Sequence, residues 1–420
     1  MQLGKWITLL PGAAILVFVA ALYNVQQLYF MAALLIALPA ISYVFGWYAL
    51  RGLQFCRELP PSAFEDMEGE IVYLVRNLTR IPRYFLTVRE RYPAWLEPLD
   101  SDPLLFNVGA NDTARVAHRV AFRKRGVYRV ENFEVGAMDP ISVIAFSGRV
   151  ACEGELVVYP LPRPMRLLPV FGGEPHGICE QTVAVMRGAS VDPDGVREYV
   201  NGDPLRHIHW RQTARTGKLN VIEFEESQSS NVVIVLDLER GTDVGKGRET
   251  TLEGAVTVCA SLAEQAIRNG ATLRLVVADD FAPARDMPGS LSVAARAGHG
   301  DQQLFFVLDM LARVEAGSRR SVAEVLVRDV GNLMPGTTLV VVTSAPGADL
   351  QPALAPYVVS GTIVDVVFVD PECYLPNSGS VTAEQRQDRL ATLSGIGANT
   401  FVYRADQPDD LSVATSTSAA

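Results

Sequence analysis

The most informative part of the sequence is its central segment, which reads Arg197-Glu198-Tyr199-Val200-Asn201-Gly202-Asp203-Pro204-Leu205-Arg206-His207-Ile208-His209-Trp210-Arg211-Gln212-Thr213-Ala214-Arg215-Thr216-Gly217-Lys218-Leu219. Asp203 followed by Pro204 predicts a helix start, because the carboxylate caps free amides and proline favours the first helical position. Gly217 predicts the helix end, since glycine readily adopts the left-handed conformation of a C-cap. The alternating residues after it predict a strand. We expect a turn, a short helix and a strand.

The predicted helix is rich in arginine and tryptophan. Arg206 and Trp210 are four residues apart, as are Arg211 and Arg215, so each pair is expected to share a helix face. In one interpretation the arginines pair with nearby acidic residues and fasten two domains together. In the other they form a socket for an acidic group of a partner, because guanidinium binds carboxylate through two parallel hydrogen bonds.

The same segment resembles the signature of a bacterial and archaeal family called domain of unknown function 58. The resemblance rests on Arg197-Glu198-Tyr199, Gly202-Asp203, Arg206, Ile208, Trp210, Ala214-Arg215 and Leu219. His209 stands where the family pattern usually has an acidic residue, which weakens any mechanism that needs a carboxylate there. The resemblance implies a pair of membrane helices at the start of the chain and a von Willebrand factor A-like fold at its end.

Composition limits the class of protein. A chain of 420 residues predicts two or three domains, and its net charge of -10 argues against nucleic acid as a partner, because phosphate binding requires a basic surface. The cysteines are odd in number and widely scattered, which is typical of reduced thiols rather than of a disulfide framework. They are Cys56, Cys152, Cys179, Cys259 and Cys373.

Residues 1–58 are expected to form a transmembrane helical hairpin. No Asp, Glu, Lys or Arg occurs from Trp6 to Leu50, and a helix of that length would measure about 68 Å, roughly twice the ~30 Å of a bilayer core. Basic residues flank the run on both sides, which predicts a multi-pass protein of the inner (plasma) membrane with cytoplasmic domains. A signal sequence cleaved after Ala21 is the alternative, and the second span would still return the chain to the cytoplasm.

The rest of the chain divides into segments that differ in residue pattern and composition. Short alternating runs predict a small β-sandwich over 59–160, in which His118 is an ordinary strand residue. A proline- and glycine-rich connector over 161–195 leads to the signature motif over 196–230. Alternating strand and helix patterns over 231–405 predict a doubly wound α/β domain, and the Ser-, Thr- and Ala-rich residues 406–420 predict a disordered tail.

The α/β domain begins with Val232-Val233-Ile234-Val235-Leu236-Asp237, an apolar run typical of a buried parallel strand. Strands are also predicted over 272–278, 338–343 and 363–369, and helices over 251–269, 302–315 and 322–333. In this fold class, ligands bind at the carboxyl ends of the strands.

A magnesium-binding von Willebrand factor A-like domain carries Asp-x-Ser-x-Ser after its first strand, and the corresponding run here is Asp237-Leu238-Glu239-Arg240-Gly241, which lacks both hydroxyls. Asp237, Glu239 and Thr343 are the remaining candidate ligands, but we expect no Mg²⁺ or other cofactor. Asp237 as a structural acid at the strand end is the favoured alternative.

Three other site types are weakly supported. The loop Gly241–Gly247 resembles a phosphate-binding loop but has the wrong glycine spacing and no Ser or Thr after Lys246. A zinc site built from His207, His209, His176 and Cys179 is disfavoured, because helix positions two apart point in different directions. No Gly-x-Ser-x-Gly motif marks a hydrolase nucleophile.

Two functional hypotheses follow. The first is a non-catalytic scaffold that binds a partner through the motif residues Tyr199, Gly202, Asp203, Arg206, His209, Trp210 and Arg215. Proteins that this chain resembles are commonly encoded beside MoxR-type AAA+ ATPases and transglutaminase-like membrane proteins, which implies these partners and a role in assembling or maturing an envelope or other protein complex. The second is a hydrolase that uses Asp203, Arg206, His209, Trp210 and Arg215.

Overall fold

The computed structural model describes residues 6–100, 103–138, 145–165, 193–199, 208–224, 231–278, 296–374, 383–407 and 411–413. The chain folds into two compact units, Met1–Leu161 and Pro162–Ala420.

Two sheets pack face to face in the first unit. One has the strand order β1-β3-β7-β5 and the other the order β2-β9-β8-β4-β6. Ile71, Tyr73 and Phe122 of the first sheet share a buried core with Phe133 and Leu156 of the second. The strands are β1 Leu53–Glu58, β2 Ala63–Phe64, β3 Glu68–Asn77, β4 Arg83–Glu90, β5 Leu96–Pro98, β6 Leu104–Val108, β7 Thr113–Phe122, β8 Gly126–Met138 and β9 Ala145–Tyr159.

Two helices, α1 (Trp6–Tyr23) and α2 (Gln26–Ala49), precede these strands. The expected transmembrane hairpin, and with it the multi-pass inner-membrane location, is wrong. Among the helices that the structure describes, none combines the length and the apolar character needed to cross a membrane. In the described part of the first unit, more residues lie in strands than in helices.

Part of the uncharged run instead packs on the sheet β2-β9-β8-β4-β6. The Tyr43 ring lies edge-on to Phe146 of β9 with centroids 5.5 Å apart, and the Arg83 guanidinium of β4 lies 3.7 Å from the centre of the Tyr48 ring. Ala49 is buried in a cluster with Leu86. The C-terminal end of α2 therefore contacts this sheet through Tyr43, Tyr48 and Ala49.

A six-stranded sheet forms the centre of the second unit, in the order β15-β12-β16-β17-β18-β19. The first five of these strands are parallel, and β19 pairs antiparallel with β18. A separate antiparallel pair joins β10 to β11, and a short one joins β13 to β14. The strands are β10 Pro193–Glu198, β11 Asn220–Phe224, β12 Asn231–Leu236, β13 Gly245–Lys246, β14 Glu249–Thr250, β15 Thr272–Val276, β16 Thr338–Thr343, β17 Ile363–Val369, β18 Asn399–Tyr403 and β19 Leu411–Val413.

Helices of the second unit cover both faces of this sheet. The helices that cover it are α4 Thr251–Arg268, α5 Gly300–Arg313, α6 Val322–Val325, which continues as a π-helix over Leu326–Val330, α7 Leu350–Val359 and α8 Ala383–Gly395. The short helix α3, Trp210–Thr216, lies beside β11 instead. Val233 and Val235 of β12 pack in a core with α6, α7 and α8, whereas α4 contacts the central strands from the other side. Because β12 is buried on both faces of the sheet, its sequence is a continuous run of apolar residues.

Two expectations for this unit are corrected. The helix predicted over 322–333 is shorter, because the chain leaves it at Gly331, whose φ of 69° is outside the helical range. The predicted disordered tail 406–420 includes β19, in which Leu411 pairs with Tyr403. Residues 408–410 and 414–420 of that tail lie outside the described residues.

Candidate functional site

Helix α3 carries the arginine- and tryptophan-rich motif and is capped at both ends. At its start the His209 ring accepts a hydrogen bond at Nδ1 from the Gln212 N–H (2.9 Å). At its end Gly217 has a φ of 70° and donates its N–H to the Thr213 carbonyl (2.9 Å). The predicted C-cap is therefore confirmed, whereas the cap seen at the start of α3 is His209. The predicted cap, Asp203, lies outside the described residues.

Most residues of α3 are exposed, whereas Gln212 and Thr213 are half-buried. Trp210 is 68% exposed, Arg211 and Arg215 are exposed, and the helix has no buried residue. Within the described ranges neither arginine makes an ion pair, so the expected pairing with nearby acids is not seen there. We call Trp210, Arg211 and Arg215 the α3 face.

Local hydrogen bonds hold α3 against β11. The Thr213 hydroxyl accepts from the Asn220 N–H (3.1 Å), and the Asn220 side-chain amide donates to the Thr216 hydroxyl (2.7 Å) and the Lys218 carbonyl (2.8 Å). Ile208, just before the helix, is buried and forms an antiparallel bridge with Val221 of β11. The α3 face is therefore presented on a fixed support.

The other motif residues divide between described and undescribed parts of the chain. Tyr199 follows β10, is half-buried, and donates its backbone N–H to the Leu219 carbonyl (2.8 Å). Gly202, Asp203 and Arg206 lie outside the described residues. The hydrolase hypothesis needs His209 as a proton acceptor, but Nδ1 of its ring already accepts the helix-capping hydrogen bond.

At the carboxyl edge of the parallel sheet, Asp237 and Thr343 are brought together. Asp237 follows β12 and is buried. Its Oδ2 accepts from the Thr343 hydroxyl (2.7 Å), and its Oδ1 accepts from the Glu239 N–H (2.9 Å). Burial raises the pKa of Asp237 above its usual value, although these two hydrogen bonds oppose the rise. Sequence alone could place both residues at this edge but could not show that they bond to each other.

The third candidate ligand, Glu239, lies beside them. Its pKa is raised, first by burial and then by repulsion from the Asp237, Asp349 and Glu324 carboxylates. The donor set fits a metal poorly, because both oxygens of Asp237 already accept hydrogen bonds and the two hydroxyls expected after it are absent. Across the described residues, no group of three or more His, Cys, Asp or Glu is placed to hold a metal ion.

The loop Gly241–Gly247 leads to the start of α4, where a phosphate would have to bind. Instead, the Asp243 carboxylate accepts from the Leu252 N–H (3.0 Å) and the Thr251 hydroxyl (3.1 Å). The Thr250 hydroxyl accepts from the Glu253 N–H (3.3 Å). Because the chain's own side chains cap these amides, the loop functions as a helix cap rather than as a phosphate cradle.

The first unit contains a buried polar network that the sequence did not reveal. Arg57 donates to Glu90 and to the carbonyls of Val130 (2.7 Å) and Cys152, and Tyr73 donates to the other Glu90 oxygen. Burial raises the pKa of Glu90, while Tyr73 and Arg57 oppose the rise. These residues connect the two sheets of the sandwich.

His118 belongs to the same network, although it was expected to be an ordinary strand residue. It is buried on β7, and its Nδ1 lies 2.7 Å from the Tyr92 hydroxyl. That hydroxyl is 3.0 Å from the Tyr73 hydroxyl. The only sequence signal was a set of polar residues in otherwise apolar strands, because the partners are far apart along the chain.

Comparison with known proteins finds a family model that is similar to part of the second unit. Residues 195–395, which include α3 and the parallel sheet, match the family described as protein of unknown function DUF58. The match covers just under half of the 420-residue chain. An uncharacterized Bacillus subtilis (strain 168) protein, YeaD, is 24% identical over 242 residues, which are 56% of this chain and 58% of YeaD. The chain thus spans somewhat more than half the length of this relative.

Two solved structures resemble the chain only over a quarter of its length. The CARDB domain of a Pyrococcus furiosus protein is 12% identical and a FixG-related protein from Vibrio parahaemolyticus is 9% identical. Each comparison covers 26% of this chain and 94% of the other, with TM-scores of 0.18 and 0.17. Scores this low carry no argument about fold or function.

Proposed function

We propose that this chain is a non-catalytic interaction protein whose α3 face binds a partner protein. The observation that carries the proposal is the exposure of Trp210 (68%) beside two exposed arginines on a helix that is capped at both ends. Tryptophan and arginine are the residue types most enriched among those that dominate binding energy. Leaving a tryptophan in water has no benefit for the isolated fold, since burial of an aromatic side chain is favourable.

The use of His209 also favours binding over catalysis. Its Nδ1 caps α3, so the ring stabilises the helix that presents Trp210, Arg211 and Arg215. At the sheet edge, Asp237 is bonded to Thr343 and to the backbone of Glu239. Both candidate sites thus use their hydrogen-bonding groups to support structure.

The parallel sheet with helices on both faces is the architecture expected of a von Willebrand factor A-like domain. We therefore propose that the second unit contains a von Willebrand factor A-like domain. The partner proposed is a MoxR-type AAA+ ATPase, with a transglutaminase-like protein as a further member of the complex, in the assembly or maturation of an envelope or other protein complex. The family resemblance is the support for these partners.

Capture from native cells after gentle crosslinking tests the proposal. We expect the full chain to recover a MoxR-type ATPase and Trp210→Ala to lose it. Met334→Ala is a matched control, because Met334 is also a large exposed apolar residue, at 74%. Equal recovery by the chain and both variants would show that the α3 face is not the binding site.

A further inference from the structure

The charge of the α3 face differs from that of the chain as a whole. Residues 208–222 contain two arginines and a lysine but no Asp or Glu, in a chain whose formal net charge is -10. Arg211 and Arg215 are exposed, and the described part of the chain offers neither of them an ion pair. A local positive surface on an acidic protein selects for a negatively charged partner.

The spacing of Arg211 and Arg215 determines how far apart the negative charges of a ligand should be. Positions four apart on a helix are neighbours on one face, about 5–6 Å apart at Cβ. Each guanidinium can take one carboxylate through two parallel hydrogen bonds. Two carboxylates about one helical turn apart would therefore match the pair. Trp210 projects about 100° round the helix from Arg211, so its ring would cover an apolar group of the partner beside the carboxylates rather than in line with them.

The support beneath these side chains reduces the cost of binding. The helix backbone is fixed by the His209 cap, the left-handed Gly217 and the Asn220 hydrogen bonds. Binding then orders side chains only, rather than a loop, which lowers the entropic cost of association.

We propose that the α3 face recognises an acidic segment of the partner protein, with paired carboxylates bound by Arg211 and Arg215 and a neighbouring apolar group on Trp210. This rests on the proposal that the α3 face is a docking surface, and it specifies the chemistry of the occupant. An acidic protein segment suits the site better than nucleic acid, because affinity for nucleic acid comes from many phosphate contacts and α3 offers two arginines, which two carboxylates can match.

The test uses the full chain and fluorescently labelled peptides in anisotropy titrations. The probes are a Glu- and Leu-containing peptide, its Gln counterpart and a single-stranded oligonucleotide. We expect the Glu peptide to bind best, to weaken as salt rises, and to lose about tenfold affinity in Arg211→Gln/Arg215→Gln. The control is Arg115→Gln/Arg268→Gln, which removes two exposed arginines elsewhere and should leave the affinity unchanged.

A charge exchange sharpens the test. Arg211→Glu/Arg215→Glu should abolish binding of the Glu peptide and create binding of a Lys- and Leu-containing peptide. Equal affinity for the Glu and Gln peptides, or tighter binding of the oligonucleotide, would overturn the proposal. If ATPase capture depends on Trp210 but is insensitive to salt and to the arginine variants, the docking surface stands and the acidic specificity fails.

Discussion

Asp365 is a carboxylic acid in the middle of the parallel sheet. It lies on β17, is fully buried, and accepts one hydrogen bond at Oδ1 from the Asn399 side chain (2.8 Å), while none of the described residues donates a hydrogen bond to Oδ2. Burial raises its pKa from the ordinary 3.8 to about 6, and the Asn399 hydrogen bond opposes the rise. The fold therefore favours the neutral form of this carboxyl.

The sign of the pH effect follows from this raised pKa. Well below pH 3.8 the carboxyl is neutral in both the folded and unfolded states and has no pH-dependent cost. As pH rises towards 6 the unfolded chain ionises first, so the free energy of unfolding falls. Above pH 6 the full penalty applies, and the difference between 3.8 and about 6 corresponds to about 3 kcal/mol.

We therefore predict that Asp365→Asn stabilises the sheet by up to about 3 kcal/mol at pH 7 and by only about 0.5 kcal/mol at pH 4. The amide keeps an oxygen for Asn399 and never ionises. The assay is hydrogen–deuterium exchange of peptides from 363–369 in urea, at pH 4, 5, 6 and 7, corrected for the intrinsic exchange rate. The exposed Asp388, replaced by Asn, is the control.

The pH dependence of the difference between the variant and the parent chain isolates Asp365 from every other titrating group. A constant difference from pH 4 to pH 7 would refute the reasoning. So would a loss of stability at pH 7, because it would mean that the ionised carboxylate is stabilised by its surroundings.

Two further predictions concern the other buried polar groups. Arg57→Ala should lower the free energy of unfolding by about 3–5 kcal/mol, because it leaves the Glu90 carboxylate buried without its cation. Urea unfolding followed by near-ultraviolet circular dichroism measures this loss, and the exposed Arg119→Ala, as the control, should lose far less. Similar losses of stability in both variants would contradict the prediction. Thr343→Val should lower the free energy of unfolding by about 1–3 kcal/mol at pH 7, since it removes a buried hydrogen bond to Asp237. An unchanged urea midpoint would show that this hydrogen bond does not stabilise the fold.

Much of the parallel sheet could be predicted from local sequence. The apolar runs over 338–343 and 363–369 coincide with β16 and β17, and the helix expected over 251–269 is α4. These elements are buried on one or both faces, so their residue pattern carries the signal. The strand β19 gave no such signal, because three residues become a strand only by pairing with β18.

The candidate sites were predicted less completely. The end of α3 at Gly217 follows from a local rule, whereas the exposure of Trp210 depends on what the rest of the fold leaves uncovered. The Arg57–Glu90 pair joins residues 33 apart, and no short-range pattern encodes such a contact. The hairpin prediction is wrong for the described helices, and an uncharged run could not reveal that Ala49, at the end of α2, packs on a sheet.

The central claim is that the α3 face binds a partner protein. Its most direct test places a photo-crosslinking amino acid at Ala214, which is exposed on α3 between Arg211 and Arg215. The full chain carrying this residue is expressed in native cells. The same residue at the exposed Ala391 of α8 is the control. We predict that illumination yields an adduct with a MoxR-type AAA+ ATPase at Ala214 and none at Ala391. No adduct at Ala214, or the same adduct at both positions, would contradict a docking role for the α3 face.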